Sequence, residues 1–214
     1  MAGRVAQAEN PWMEPVTLDT DRLLLRPMEA GDIGAVLTAC QDPDIQRWTR
    51  VPSPYGRAHA EDFVLKVGPA GWREDTMYSF GAFTRDGGAL VGSVGLVGFT
   101  PSRHAERVAE LGYWTAPEQR RRGYTAEAVA AVARWAFTDV GTDRLEWFAE
   151  VGNEPSRAVA LRAGFTMEGT LRSWFVNHGT RRDAWVGSLL PSDLGLESRL
   201  PYLPAPSAPS APSR

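Results

Sequence analysis

The spacing of apolar positions changes several times along the chain, and each change marks an element. Leu18 to Arg26 (LDTDRLLLR) reads as a first strand, stopped by Pro27, which donates no ladder hydrogen bond. Glu29-Ala30-Gly31-Asp32 leads into a helix (AGDIGAVLTACQD) with Asp32 as candidate N-cap. Asp42 to Pro54 reads as two turns, His59 to Val67 as a second helix, and Gly68 to Thr76 as a loop carrying Trp72. Met77 to Thr84 and Ala89 to Val97 alternate as strands, and Arg85-Asp86-Gly87-Gly88 between them makes a hairpin turn. A polar loop, Thr100 to Arg107, leads to a strand at Ala109 to Thr115. There Leu111, Tyr113 and Thr115 share one face, and Glu110, Gly112 and Trp114 the other.

From Thr125 the period lengthens into a helix rich in small residues, running through Trp135 to Phe137. Arg144 to Val151 is a fifth strand. Arg157 to Ala163 is a short helix with Gly164 as its C-cap. Thr170 to His178 and Asp183 to Leu190 form a terminal pair that turns through Gly179. The sum is one mixed α/β domain over residues 16–195, between an irregular polar arm (1–15) and a tail (196–214). The end of that tail is a Pro/Ala/Ser repeat too poor in large apolar residues to fold.

The junction before the long helix carries the densest chemical signal. A helix N-terminus offers unpaired N–H groups and the positive end of the macrodipole. Arg120, Arg121 and Arg122 add full charges, and Gly123 allows a tight turn with close approach of a ligand. Together these suit a phosphate or pyrophosphate. Taken alone, the three arginines would equally be a solvated charge run at a helix boundary.

The stretch PEQRRRGYTAEAV resembles the acyl-CoA pyrophosphate loop of the GNAT superfamily of N-acetyltransferases, Arg/Gln-x-x-Gly-x-Gly/Ala. The pattern falls on Arg120, Gly123 and Thr125, with Thr125 replacing the usual small residue. Asn153-Glu154-Pro155-Ser156 followed by Leu161-Arg162-Ala163-Gly164-Phe165 resembles a second stretch of the same superfamily at the matching spacing. The opening Thr-x-Arg-Leu-x-Leu-Arg-Pro run resembles the branch of ribosomal-protein alanine and serine N-acetyltransferases. The likeness covers Leu18 to Leu190.

This resemblance implies a GNAT fold. Its mostly antiparallel sheet has six to seven strands, the fourth and fifth splayed, and about four helices flank it. It implies acetyl-CoA as donor, with the pantetheine arm between the splayed strands. Trp114, Thr115 and Ala116 would contact that arm. Arg120, Arg121, Arg122, Gly123, Tyr124 and Thr125 would hold the pyrophosphate, and Asn153 and Ser156 the cleft side. Direct acyl transfer needs a neutral amine, a polarised thioester carbonyl and a proton for the thiolate. Glu110 is the candidate general base, or else an ordinary strand-face glutamate in an ion pair. By the resemblance Ser156 is the acid, and Asn153 and Ser156 also suit a helix cap. Trp48, Tyr55, Trp72, Trp174 and Asp183 are candidates to contact the acceptor, the aromatic ones being equally core residues.

Composition narrows the classes further. A formal net charge of -3 over 214 residues argues against a dedicated nucleic-acid binder. A single cysteine, Cys40, excludes an internal disulfide and suits a reducing, cytoplasmic setting. No apolar run reaches membrane-span length, so no membrane association is expected. His59, His104 and His178 stand without carboxylates at ligand spacing, so no metal is expected. The acceptor is an amine, on a protein N-terminus or a small molecule. An aromatic wall near the terminal hairpin is a candidate homodimer contact. Three alternatives remain at this point: a non-catalytic acyl-CoA-binding module, an RNA-associated protein, and a transferase using a larger donor such as succinyl-CoA.

Overall fold

Eight strands form a single sheet in the order β1-β2-β3-β4-β5-β6-β8-β7. The computed structural model describes residues 13–100, 107–177 and 179–205. Most of the expected N-terminal arm, the segment 101–106, the histidines at 104 and 178, and the end of the tail lie outside the described residues. The strands are β1 (Leu18–Asp19), β2 (Leu23–Arg26), β3 (Met77–Thr84), β4 (Leu90–Thr100), β5 (Val108–Thr115), β6 (Arg144–Glu150), β7 (Thr166–Asn177) and β8 (Thr180–Leu189). Every pairing is antiparallel except β5 with β6. The sheet has one strand more than expected because Leu18 to Arg26 folds back on itself. Thr20 is the reason: its N–H bonds Leu23 O, and its hydroxyl accepts from Leu23 N at 2.9 Å, closing a turn between β1 and β2.

The helices are α1 (Ile33–Ala39), α2 (Pro43–Trp48), α3 (Arg57–Asp62), α4 (Gly68–Arg73), α5 (Tyr124–Trp135) and α6 (Glu154–Arg162). Asp32 does not cap α1; it accepts from Glu29 N and pairs with Arg26, fixing the 3-10 turn before it. The expected turns at Asp42 contain α2, which Asp42 caps by accepting from Ile45 N at 3.0 Å. The expected loop at Gly68 is helical. Between α3 and α4 the chain makes a π turn, Phe63–Val67, in which Gly68 N–H reaches Phe63 O. Pro69 then falls in the first turn of α4, where its missing N–H costs little.

That continuity decides the place of Trp72. It is 2 % exposed, its ring 4.8 Å from Tyr78, 5.2 Å from Phe80 and 5.7 Å from Trp135. Its Nε1 donates to Ser79 O. Trp72 is a core residue with no face left for an acceptor, contrary to its assignment as a wall residue. The main core packs one sheet face (Leu25, Tyr78, Phe80, Leu96, Leu111, Leu145) against Val129, Val132 and Ala133 of α5. A second cluster joins α1, α2 and α3 to Phe83 and Leu90. Tyr55 is 7 % exposed within that second cluster, beside Cys40. Burial pushes the Cys40 thiol up to about 11, so it stays protonated and inert.

Candidate active site

The site begins where β5 and β6 part. Their parallel ladder has three register partners, Val108↔Arg144, Ala109↔Leu145 and Glu110↔Glu146. Beyond these, β5 stays with β4 as far as Gly92↔Thr115, while β6 stays with β8 as far as Glu150↔Ala184. A wedge therefore opens between Leu111–Thr115 and Trp147–Glu150. The backbone groups of β5 that face it have no strand partner, which a sheet interior does not tolerate without another source of hydrogen bonds.

Glu110 stands at the apex of the wedge, on the face opposite Ala109 and Leu111, which are in the core. Among the described residues no side chain donates a hydrogen bond to its carboxylate. Burial pushes its proton affinity up, and the like charge of Glu146 adds to this against the opposing pull of Arg50. Gly112 comes next on that face, and a Cβ built there meets nothing within 4 Å. The floor beside Glu110 is thus open.

The mouth of the wedge is the loop into α5. Ala116 N bonds Val91 O, Pro117–Gln119 makes a 3-10 turn, and Arg121 and Gly123 adopt left-handed backbone (φ 62° and 78°). These two reversals aim the chain into α5, with Gly123 as its N-cap. Thr125 finds a specific place: its hydroxyl lies 2.6 Å from that of Thr115, tying the helix to the end of β5.

The three loop arginines are not equivalent. Arg120 is turned away to α2, pairing with Asp42 at 2.5 Å and Asp44 at 3.4 Å. Burial raises the Asp42 carboxyl, but its bonds from Arg120 and Ile45 N outweigh this and hold it below the ordinary range. Arg122 donates to Gln119 Oε1, with its guanidinium 5.2 Å from the Tyr124 ring. Arg121 is exposed. Asp42→Ala is expected to cost about 1 kcal/mol through loss of the α2 cap, with more from stranding Arg120. Asp42→Asn, which keeps a capping oxygen, should lose less; urea unfolding of the two variants measures the difference.

Sequence reasoning did not single out Arg22. It reaches the loop from the β1–β2 turn, donating to Arg122 O at 3.0 Å and Glu127 Oε2 at 2.7 Å, with its guanidinium 4.7 Å from the Tyr124 ring. Tyr124 is thereby flanked by two guanidiniums. Arg22 is the first arginine of the opening Thr-x-Arg-Leu run, but nothing local tells its role, because its partners lie about a hundred residues away.

Opposite β5, Asn153 caps α6 by accepting from Ser156 N at 3.2 Å. Ser156 Oγ accepts from Trp147 Nε1 and donates to Tyr113 OH, both at 3.2 Å. Tyr113 OH donates back to Ser156 O at 2.7 Å. Tyr113 thus bridges the wedge from β5 to α6, and burial keeps its phenol neutral.

The remaining acceptor candidates scatter. Trp174 is 53 % exposed and stacks on Phe148 of β6 at 5.4 Å, on the Glu110 face of the sheet. Asp183 accepts from Ser173 N at 2.8 Å, bracing the irregular stretch of β7 that presents Trp174. Trp48 packs near Gly152 under the Arg47 guanidinium. Arg47 in turn pairs with Glu150 at 2.6 Å, and Asn177 donates to both Arg47 O and Glu150 Oε2, joining α2 to the terminal hairpin. The Arg47 pair holds the Glu150 carboxyl below its ordinary range despite burial. Among the described residues no group of three or more His, Cys, Asp or Glu could hold a metal ion, and no helix is long and apolar enough to cross a membrane.

Known proteins share this fold. Residues 22–166 match the family model of the acetyltransferase (GNAT) domain. The uncharacterized N-acetyltransferase YoaA of Bacillus subtilis is 29% identical over 178 residues, covering 81% of this chain and 96% of its own. RimJ of Mycobacterium smegmatis, solved with CoA-disulfide, superposes with a TM-score of 0.74 at 22% identity, over 87% of this chain and 93% of its own. The ribosomal-protein-S5-alanine acetyltransferase of Vibrio fischeri gives 0.68 at 17% identity, over 82% and 96%. At these identities the two structures speak for the fold, and the family match speaks for the chemistry. With that family model matching more than half of its length, this chain belongs to the GNAT family of acetyltransferases.

Proposed function

We propose that the protein transfers the acetyl group of acetyl-CoA to a primary amine, on a protein N-terminus or a small molecule, by direct attack. The observation that carries this is the wedge itself. Among the described residues β5 has no strand partner along one side, a helix N-terminus preceded by left-handed turns stands at the mouth, and a carboxylate to which no described side chain donates stands at the apex. The residues fit the donor. The α5 N-terminus and the left-handed turns at Arg121 and Gly123 suit its pyrophosphate. The edge of β5 beyond Glu110, up to Thr115, suits the amides of its pantetheine arm, with Asn153 and Ser156 across the gap; Trp114 and Ala116 would contribute contact, the N–H and carbonyl of Ala116 being spent on Val91 O and Gln119 N. Acetyl-CoA supplies a thioester carbon open to attack.

Glu110 takes the proton that an acceptor ammonium must lose before its nitrogen can attack. Ser156 is oriented by Trp147 and Tyr113; its one hydroxyl proton, which rests on Tyr113 OH, must turn from there to reach the leaving sulfur. Trp174 with Phe148, and Trp48, border the acceptor side, with Asp183 acting through the backbone it braces. Ribosomal-protein N-termini are one acceptor class that the fold neighbours suggest.

Calorimetric titration of acetyl-CoA tests the reading. Wild type is expected to bind. Arg121→Ala/Arg122→Ala, which spares the Arg120–Asp42 pair, should bind about tenfold or more weakly from lost charge-assisted contacts. Absence of binding to wild type would sink the proposal.

A further inference from the structure

Glu110 stands at the end of a row of charges that crosses the sheet. It and Glu146 are register partners in the parallel ladder between β5 and β6. Neighbouring strands lie about 4.8 Å apart, and both side chains point away from the core face, so the two carboxylates are neighbours. Glu146 accepts from Nε of Arg144, two residues back on β6 and on the same face, at 3.0 Å. The other edge of that guanidinium is gripped at two points by Glu168 of β7, at 2.6 and 3.0 Å. Such a bidentate pair is the stronger arrangement, and it holds the Glu168 carboxyl below its ordinary range. Ser188 Oγ also donates to Glu168, at 2.6 Å. One cation thus serves two carboxylates, which leaves negative charge over beside Glu110. The other elements around Glu110 do not cancel it. Val97, its partner on β4, is uncharged, as are Val108 and Gly112 beside it on β5. Arg50, in the loop after α2, is the one opposing charge that acts on it among the described residues.

We propose that Glu146 is a positioning residue that acts on Glu110 by its charge, and that Arg144 and Glu168 set how much of that charge Glu110 feels. This rests on the reading of Glu110 as base and adds three residues to its setting. A carboxylate beside another holds its proton more tightly, and a base must hold the proton it takes from an ammonium. Burial of Glu110 works in the same direction as Glu146, and Arg50 works against both. Arg144 paired with Glu146 alone would silence the neighbouring charge; the grip of Glu168 prevents this.

The test is an NMR titration of the glutamate carboxyl carbons in isotope-labelled protein, with the Glu110 signal assigned by its loss in Glu110→Gln. A melting curve accompanies each variant. Glu146→Gln removes a neighbouring negative charge, so Glu110 should ionise at lower pH. At a fixed pH its ratio of ionised to neutral form should rise about threefold or more. Arg144→Gln removes the compensating cation, and the ratio should fall by a similar factor. Both variants break the same ion pair. Loosened packing alone would expose Glu110 and move its titration the same way in both. Glu168→Gln returns Arg144 to Glu146 and should act in the direction of Glu146→Gln; it replaces Arg144→Gln in the comparison if that variant does not fold. A Glu110 titration that Glu146→Gln leaves unmoved, or that Glu146→Gln and Arg144→Gln move alike, overturns the role of Glu146 and leaves Glu110 standing as base. Wild-type turnover in Glu110→Gln overturns the base, and the role of Glu146 with it.

Discussion

Glu110→Gln is expected to lower kcat by about 10²–10⁴-fold, the usual contribution of a positioned general base, while acetyl-CoA affinity stays unchanged. The reason is geometric first. Glu110 lies at the last paired position before β5 and β6 separate, facing the open floor at Gly112, and among the described residues no side chain donates to it and blunts its basicity. The pH dependence follows from the direction of its shift. Burial favours the protonated acid, so the base form is lost at a higher pH than for an exposed glutamate. In wild type kcat/KM should fall as pH drops through that raised value, and the variant's residual rate should lack this limb. The stability linkage runs the other way. A carboxyl with a raised folded-state pKa contributes stability below its unfolded value and loses it as pH rises through the folded one. At neutral pH Glu110→Gln should therefore be at least as stable as wild type. A variant that keeps wild-type turnover and the same acid limb would remove Glu110 from the chemistry.

Trp72→Ala is expected to cost about 3–5 kcal/mol, the range for truncating a large buried aromatic, and to lower the urea midpoint by about 1–3 M at ordinary m-values. Three aromatic rings surround Trp72 within 5.7 Å, and its indole N–H is spent on Ser79 O, so truncation leaves a cavity and an orphaned carbonyl. A side chain lining the acceptor pocket would instead change KM and leave unfolding alone. Full stability in Trp72→Ala, together with a raised acceptor KM, would return Trp72 to the pocket wall.

What the sequence discloses here is whatever depends on neighbours in the chain. The turn at Gly123, the Asn153 cap on Ser156 and the alternation that sets Glu110 opposite Leu111 are all local consequences of residue type. The parting of β5 and β6 is legible only by resemblance, since nothing in either strand says how many pairs they share. The Arg120–Asp42 pair joins positions 78 apart, and so a residue assigned to phosphate on motif grounds is found holding a helix cap. Gly68-Pro69 looks like a helix breaker, and the π turn before it, which has no sequence signature, lets the helix resume and carries Trp72 inward. Leu18 to Arg26 shows the same limit at smaller scale: one threonine hydroxyl makes two strands of one.

The three-pair seam between β5 and β6 also sets how the molecule can breathe. Above Glu110 no ladder joins the half-sheet β1–β5 to the half-sheet β6–β8; the Tyr113–Ser156 bond and the packing of α5 and α6 span the gap. Small rotations about the seam are amplified along its length. Over the five residues from Leu111 to Thr115, about 17 Å at strand rise, a rotation of about 5° widens the mouth by about 1.5 Å while hardly moving the apex. The carboxylate proposed as base therefore sits at the pivot, where geometry is kept, and the loop proposed to hold the phosphates sits at the free end, where a long, flexible donor would need room to enter.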